Sequence, residues 1–398
     1  MPEGLKKIIS LLLLSGAIFG SFVLGYWTGE NQVVCDICPP QDVNFSLFWE
    51  AYHILREKYV DKGELNDEDI LHGAISGMVD SLNDPYTVFF KPQETKRFIE
   101  DVKGVFEGVG MEIGIRDGEL QVVAPLEGTP AKEAGLRPGD RILRVDSEPT
   151  TDMTLDEAVD VIRGPEGTTV TLTIYRESWK ESRDIEIVRG VIEIPSLNWE
   201  LMESTTGEQN IAYLKLYHFS GRAGFDFVQA ALEILDSPAE KIILDLRNNP
   251  GGYLEIAQSI AGWFLEKGEV VVIEEFGSGE RIEYKSEGNG SFLDYDVVVL
   301  INEGSASGSE ILAGALRDQR GTLLIGERSF GKGSVQQLEK LRDGSSLKIT
   351  VARWLTPDDH LITDTGLEPD IRVEIGSEDY EEGEDPQLDK AIEVISNL

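Results

Sequence analysis

"VVVLINEGSASGSEILAGAL", residues 297–316, decides how the rest of the chain is read. The apolar run Val297–Ile301 suits a buried strand, and Glu310–Leu316 carries helical spacing. Between them, Ser305, Ser307 and Ser309 occupy alternate positions of a small polar turn. A strand passing into a helix through such a turn is the repeating joint of an α/β layer and a favoured seat for a nucleophile. The same alternation extends from residue 190 onward. "IAYLKLYHF" (211–219), "KIILDLR" (241–247) and "TLLIGE" (322–327) read as strands, separated by helical patterns. An α/β core is therefore expected over residues 189–376.

Upstream the character changes twice. Residues 42–100 are expected to form a helical arm: "FSLFWEAYHILREKYV" (45–60) and "DEDILHGAISGMVDSL" (67–82) repeat apolar residues at three and four, with Asp67 as the expected N-cap. "NDPYTVFF" (83–90) reads as a turn and an extended piece. Residues 101–188 are short strands and turns, as in "VFEGVGMEIGI" (105–115) and "TVTLTIYR" (169–176). Residues 377–398 are an acidic tail and a helix, "PQLDKAIEVI" (386–395). The fold class is thus multidomain α+β.

Composition excludes some partners. With 73 acidic and 36 basic side chains the net charge is −37. Such a field repels phosphate backbones and anionic lipid surfaces, so nucleic acid is not an expected partner. The N-terminus differs. Ile8–Trp27 carries no charge and follows Lys6 and Lys7. About 20 residues of helix cross a hydrocarbon core, and flanking lysines stay cytoplasmic. A retained transmembrane anchor over residues 8–27 is preferred to a cleaved signal peptide, with residues 1–7 cytoplasmic and everything after the anchor extracytoplasmic. Cys35 and Cys38, in the linker 28–41, would then lie in an oxidising compartment, where the two readings are a local or intersubunit disulfide and no function at all. Two thiols alone cannot complete a zinc site.

"GTPAKEAGLRPGDRILRVD" (128–146) resembles the signature of PDZ domains, with Pro130, Ala131, Ala134, Gly135, Leu136, Gly139, Asp140 and Ile142 in place. Such a domain adds a peptide strand to its sheet edge and holds the terminal carboxylate on backbone N–H groups of a glycine-rich loop. "EGVGM" (107–111) is the matching loop: Gly108, Val109, Gly110 and Met111 are the expected tail-binding residues, the rival reading being a plain hairpin glycine pair. Arg163 ends the helix expected near Leu155–Ile162. It is a candidate for coupling this domain to the core, or simply a cation complementing a helix C-terminus.

If one of the three serines is a nucleophile, something must take its proton. The chain has four histidines, His53, His72, His218 and His360, and none stands in a familiar triad context. Lysine can serve instead if it is neutral and within reach. Lowering a lysine from ~10.4 to about 7–8 takes roughly 3–5 kcal/mol of desolvation, so the base should sit in an apolar, glycine-rich pocket. "ERSFGKGSVQQ" (327–337) offers Lys332 between Gly331 and Gly333. "DLRNNPGGYLEIA" (245–257) adds a strand, a Pro-Gly-Gly turn and a helix start whose N–H groups can face a developing oxyanion.

Taken with "DPYTVFF" and "LTPDDHLITDTGLEPDI", these stretches make residues 42–398 resemble the carboxyl-terminal processing peptidases, also called tail-specific proteases. The resemblance implies an α/β core of the ClpP/crotonase kind with an inserted PDZ domain. It implies Ser307 as nucleophile, Lys332 as general base, and Gln336 orienting the lysine. It implies oxyanion donors from the N–H of Gly251 or Gly252 and of Gly308, with Ser305 and Ser309 as turn and helix-cap residues. The family often has alanine where this chain has Gly308. No metal or organic cofactor is implied. The expected substrates are proteins with apolar, unstructured C-terminal tails; the helical arm is a candidate homodimer contact. An inactive PDZ scaffold that binds protein C-termini is the alternative. The intact set Ser307, Lys332 and Gln336 argues against it, and a hydrolase of small esters would have no use for a peptide-reading domain.

Overall fold

The computed structural model describes residues 14–24, 26, 43–116, 118–126, 128–151, 153–176, 178–376 and 384–398. Two compact units are present, residues 1–71 and 72–398. In the first, the helix Ser46–Lys58 leaves Leu47, Trp49, Ile54 and Leu55 exposed, and Tyr52 donates to Asp67 at 2.8 Å. Residues 14–24 are helical, but among the described residues no helix is long and apolar enough to cross a membrane. The rest of the expected anchor, and Cys35 and Cys38, lie outside the described residues. Asp67 is the first residue of its helix, and the preceding Asn66 supplies the cap, accepting from Glu68 N–H at 2.9 Å.

The second unit is built on a six-stranded sheet in the order Leu197–Glu203, Gln209–Leu216, Lys241–Asp245, Asp296–Ile301, Leu323–Gly326, Ile371–Arg372. The first pair is antiparallel and the others are parallel. The central strands read as unbroken apolar runs because both faces are covered. On one face Leu214, Leu244 and Val299 pack with Phe227, Phe264 and Leu312 of the helices Ala223–Leu235, Leu254–Phe264 and Gly308–Arg320. On the other, Tyr213, Ile243, Val298 and Ile325 meet Ala391 and Ile395 of the C-terminal helix Pro386–Ser396. The helices Ala223–Leu235, Leu254–Phe264 and Gly308–Arg320 lie in the crossovers between the central parallel strands, so the loops after Leu216, Asp245 and Ile301 gather at the carboxyl end of the sheet, where open α/β layers place their sites.

A second sheet holds Val88–Phe90, Ser346–Leu355, Val270–Phe276 and Arg281–Lys285, with Ser334–Lys340 paired to Ser346–Leu355. The "DPYTVFF" segment enters here: Val88 pairs with Lys348. The third layer, Met111–Arg116, Glu119–Pro125, Arg141–Val145, Thr169–Tyr175 and Arg183–Val188, is antiparallel throughout. It closes on its own core of Val122, Leu136, Ile142, Ala158 and Leu172. The chain enters and leaves it through a ribbon of Val105–Gly108 against Gly190–Glu193. Within its signature, Asp140 is buried and accepts from Arg176 Nε at 2.6 Å, from Arg176 Nη2 at 2.7 Å and from Arg137 N–H at 2.8 Å. A bidentate charge-assisted pair fixes a turn there that apolar packing alone would not.

Candidate active site

The three serines part company in the fold. Ser305 is fully buried; its hydroxyl donates to Leu246 O at 2.8 Å and accepts from Asn302 N–H at 3.0 Å. Ser309 is equally buried and donates to Asn249 O at 2.9 Å. Both stitch the turn to the loop after Asp245. Ser307 is the N-cap of the Gly308–Arg320 helix, and its hydroxyl makes no cap hydrogen bond. This corrects the expectation that Ser305 or Ser309 would cap the helix. Ser307 also stands at φ 53, ψ −111, a conformation that a side-chain-bearing residue holds only where its surroundings impose it.

What imposes it is Glu310. This carboxylate is fully buried and accepts four hydrogen bonds: Ser307 N–H at 2.9 Å, Ser329 Oγ–H at 2.6 Å, Gly331 N–H at 2.7 Å and Lys332 N–H at 3.0 Å. One side chain thus ties the serine turn to the Phe330–Gly333 loop. Burial pushes its pKa upward, and the four donors oppose that by favouring the charge. Glu310 was not among the expected site residues. The signal was present as S-x-x-E, a capping box.

Lys332 is half-buried, and its ammonium lies 5.7 Å from the centre of the Tyr86 ring. Burial lowers its pKa, with the charge of Glu310 opposing. Tyr86 is what "DPYTVFF" contributes to the site, and its own pKa is raised by burial and by Asp364, Glu310 and Asp84.

A cleft of about 590 Å³ collects Ser307, Lys332, Gln336, Gly251, Gly252, Lys348 and His218, against an apolar wall that includes Phe98, Val102, Ile194, Phe219 and Leu338. Gly251 is pressed against the serine turn: at φ 98, a Cβ there would come within 2.7 Å of Ser307 Cβ and 2.8 Å of Gly308 N. Only glycine fits. The N–H of Gly251 is already given to Asn249 Oδ1 at 2.9 Å. The N–H groups of Gly252 and Gly308 make no hydrogen bond among the described residues, although Gly252 is held in place by bonds between its neighbours and Phe219. Gln336 lines the cleft with its amide donating to Ser334 Oγ at 2.7 Å, and it makes no hydrogen bond to Lys332. His218, which stands in no familiar triad context in the sequence, is in the cleft wall with a buried Nε2 that lacks a partner among the described residues; burial lowers its pKa, opposed by Asp226.

In the third layer, Gly108–Met111 lies beside the edge strand Met111–Arg116. A small pocket of about 70 Å³ runs there between Val109, Ile113, Val159 and Ile162. Gly110, at φ 77, meets Thr129 so closely that a Cβ would come within 2.4 Å. Its carbonyl accepts from Thr129 Oγ1–H at 2.8 Å and Leu126 N–H at 3.0 Å. Arg163 caps the Leu155–Ile162 helix, stacks 4.3 Å from the Phe106 ring centre and bonds Asp101 at 2.9 Å. Asp101 belongs to the helix Pro92–Lys103, which also lines the cleft through Phe98 and Val102.

Residues 210–373 match the peptidase family S41, residues 121–176 a PDZ domain, and residues 32–95 the N-terminal domain of the activating protease CtpB. A probable CtpA-like serine protease of Staphylococcus aureus (strain MRSA252) is 35% identical over 369 residues, covering 92% of this chain and 72% of that protein. The chain belongs to the S41 family of carboxy-terminal processing serine proteases. The carboxy-terminal processing protease CtpA of Bacillus subtilis (strain 168) is 33% identical over 93% of this chain and 77% of its own length. Among solved structures, the photosystem II D1 C-terminal processing protease superposes with a TM-score of 0.53 at 29% identity, covering 82% of this chain and 92% of that one. An S41 protease from Bacteroides fragilis, at 16% identity and a TM-score of 0.54, shares the fold. This chain thus combines a mixed α/β architecture with a PDZ domain and an S41 protease core.

Proposed function

We propose that this protease cuts proteins near their C-termini by a Ser307–Lys332 dyad. The observation that carries the proposal is the sorting of the three serines: the hydroxyls of Ser305 and Ser309 are spent on structure, while Ser307 stands on strained backbone in one cleft with a half-buried lysine. Ser307 Oγ attacks the peptide carbonyl as neutral Lys332 Nζ accepts its proton. The tetrahedral oxyanion is held by Gly252 N–H and Gly308 N–H, the two donors left unspent. Collapse breaks the C–N bond, and Lys332 returns the proton to the leaving amine. Lys332 then takes a proton from water as that oxygen adds to the acyl carbon; collapse breaks the bond to Ser307 Oγ, which takes the proton back from Lys332 as the acid leaves. Glu310 fixes both partners through their backbones. Gln336 turns to orient Lys332 when a peptide fills the cleft.

The apolar wall of the cleft supports a preference for apolar, unstructured tails. The PDZ edge strand and the Gly108–Met111 loop take the substrate terminus, and Arg163, through Asp101, passes its presence to the Pro92–Lys103 helix and so gates the cleft. The segment 8–27 anchors the protein, with the catalytic part on the extracytoplasmic side. The helical arm pairs two copies. The test is labelling by a serine-directed fluorophosphonate, followed by peptide mapping. The label should fall on Ser307 and vanish in Lys332→Ala; a label elsewhere, or one undiminished in that variant, refutes the dyad.

A further inference from the structure

The cleft contains a second lysine that the reaction does not use. Lys348 sits on the Ser346–Leu355 strand, between Val88 and Leu338, and lines the same cavity as Ser307. Its ammonium lies 5.4 Å from the ring centres of both Phe90 and Phe98. Those rings are stacked 5.0 Å apart and form a rigid platform. Among the described residues Lys348 forms no ion pair and no side-chain hydrogen bond. Its attraction to Asp84 does not become a contact, and that carboxylate already accepts from Thr87 Oγ1–H at 2.6 Å and Tyr86 N–H at 3.0 Å. The other charge felt by Lys348 is that of Lys332, which repels it.

A half-buried cation with three unused donors is costly unless something pairs with it. Two phenyl faces return only ~0.5–1 kcal/mol each and accept none of its hydrogens in line. The cost persists in a wall whose other members are largely apolar. Pairing with Glu310 is closed off, because that carboxylate has its four donors already. No protein group among the described residues takes its donors, so they face the cleft, and a peptide passing this wall can present a carboxylate to them.

We propose that Lys348 is a specificity residue that binds a carboxylate of the substrate peptide while the scissile bond lies at Ser307. The proposal rests on the serine-protease reading of this cleft. The carboxylate is either an acidic side chain at one position near the cut or the free C-terminus of a short tail. A chain with net charge −37 repels acidic peptides at long range, so a fixed cation inside the cleft also supplies the local attraction such a substrate needs.

The test compares the full chain with its Lys348→Met, Lys348→Glu and Lys348→Arg variants. The substrates are disordered peptides in which Glu, Gln or Lys is walked along the positions flanking the cut, each with a free and an amidated C-terminus. With the native chain, Glu at one position should raise kcat/KM roughly tenfold over Gln, the scale of a charge-assisted bond in a partly buried site. The ratio should fall to about one in Lys348→Met, survive in Lys348→Arg, and invert in favour of Lys in Lys348→Glu. A preference confined to free-acid peptides, and lost with Lys348→Met, assigns the terminus as the source. A native ratio near one at every position and terminus, or a ratio unchanged in Lys348→Met, overturns the proposal. So does an equal loss on all peptides, which would make Lys348 structural. Anisotropy binding of the same peptides to Ser307→Ala carries the Glu-to-Gln comparison without turnover. If the native chain cleaves nothing, the protease reading fails while that binding ratio still decides Lys348.

Discussion

Two buried carboxylates, at the carboxyl ends of neighbouring regions of one sheet, are neutralised in opposite ways. Asp245 is fully buried and pairs with Arg247 at 2.8 Å; Arg247 in turn grips Asp385 through two bonds of 2.8 Å, at the start of the C-terminal helix. Burial acts against the charge on Arg247, but the bonds to Asp385 and Asp245 outweigh it and raise its pKa. Glu310, equally buried, has no ion-pair partner among the described residues: three backbone N–H groups and one hydroxyl hold it. The first arrangement is a lock between elements. The second holds a negative charge without tying up an ammonium, which leaves the Lys332 side chain unpaired and its pKa depressed. Rigidity without an ion pair is what a lysine base requires.

That contrast can be broken by substitution. The largest effect is expected at the base: Lys332→Ala should lower kcat/KM by about a thousandfold or more with the fold retained, measured by peptide cleavage beside circular dichroism. Next is the lock. Arg247→Ala leaves Asp245 with the Tyr213 hydroxyl at 2.7 Å and Lys215 Nζ at 3.9 Å and takes the partner from Asp385; it should cost roughly 3 kcal/mol in urea unfolding, while cleavage at low temperature continues. Loss of activity without loss of stability there would erase the distinction between the two carboxylates.

Glu310→Gln places an amide NH₂ against groups that are all donors. We expect about 2–3 kcal/mol of lost stability, and a fall in kcat that Arg247→Ala does not show. Lys332→Met sharpens the point through pH. A lysine whose pKa is depressed on folding binds fewer protons folded than unfolded, so it destabilises the native state at neutral pH. That penalty fades as pH rises toward the usual lysine value. Lys332→Met should therefore be more stable than the native chain at pH 7, with the gap narrowing as pH rises; cleavage by the native chain should rise with pH over the same range. The smallest effect is expected for Gly308→Ala. A Cβ there would stand 3.1 Å from the Phe219 ring, set against a helix-propensity gain of about 1 kcal/mol. Stability should move by less than about 1 kcal/mol, and activity should persist.

Much of this was legible in the sequence, for physical reasons. Strand and helix alternation after residue 190 follows from two-sided burial, and the Pro-Gly-Gly turn announces itself because only glycine can lie against Ser307. The signature around Asp140 is readable because each of its residues solves a local problem. What escaped was set by distant contacts. Glu310 and Lys332 N–H meet across 22 residues, and Lys348 on its strand meets Phe98 of the Pro92–Lys103 helix, far away in the chain. His218 gave no sign of a site in the sequence because a strand end gives no hint of which loop will cover it. That the N–H of Gly251, unlike that of Gly252, is given to an Asn249 side chain is a contact no spacing reveals.

The most direct measurement is mass spectrometry of a disordered protein with an apolar C-terminus, incubated with residues 42–398 and, in parallel, with the Ser307→Ala variant. Internal cuts made near the C-terminus by the first and none by the second are predicted. Cuts by both preparations would contradict the assignment of Ser307 as the nucleophile.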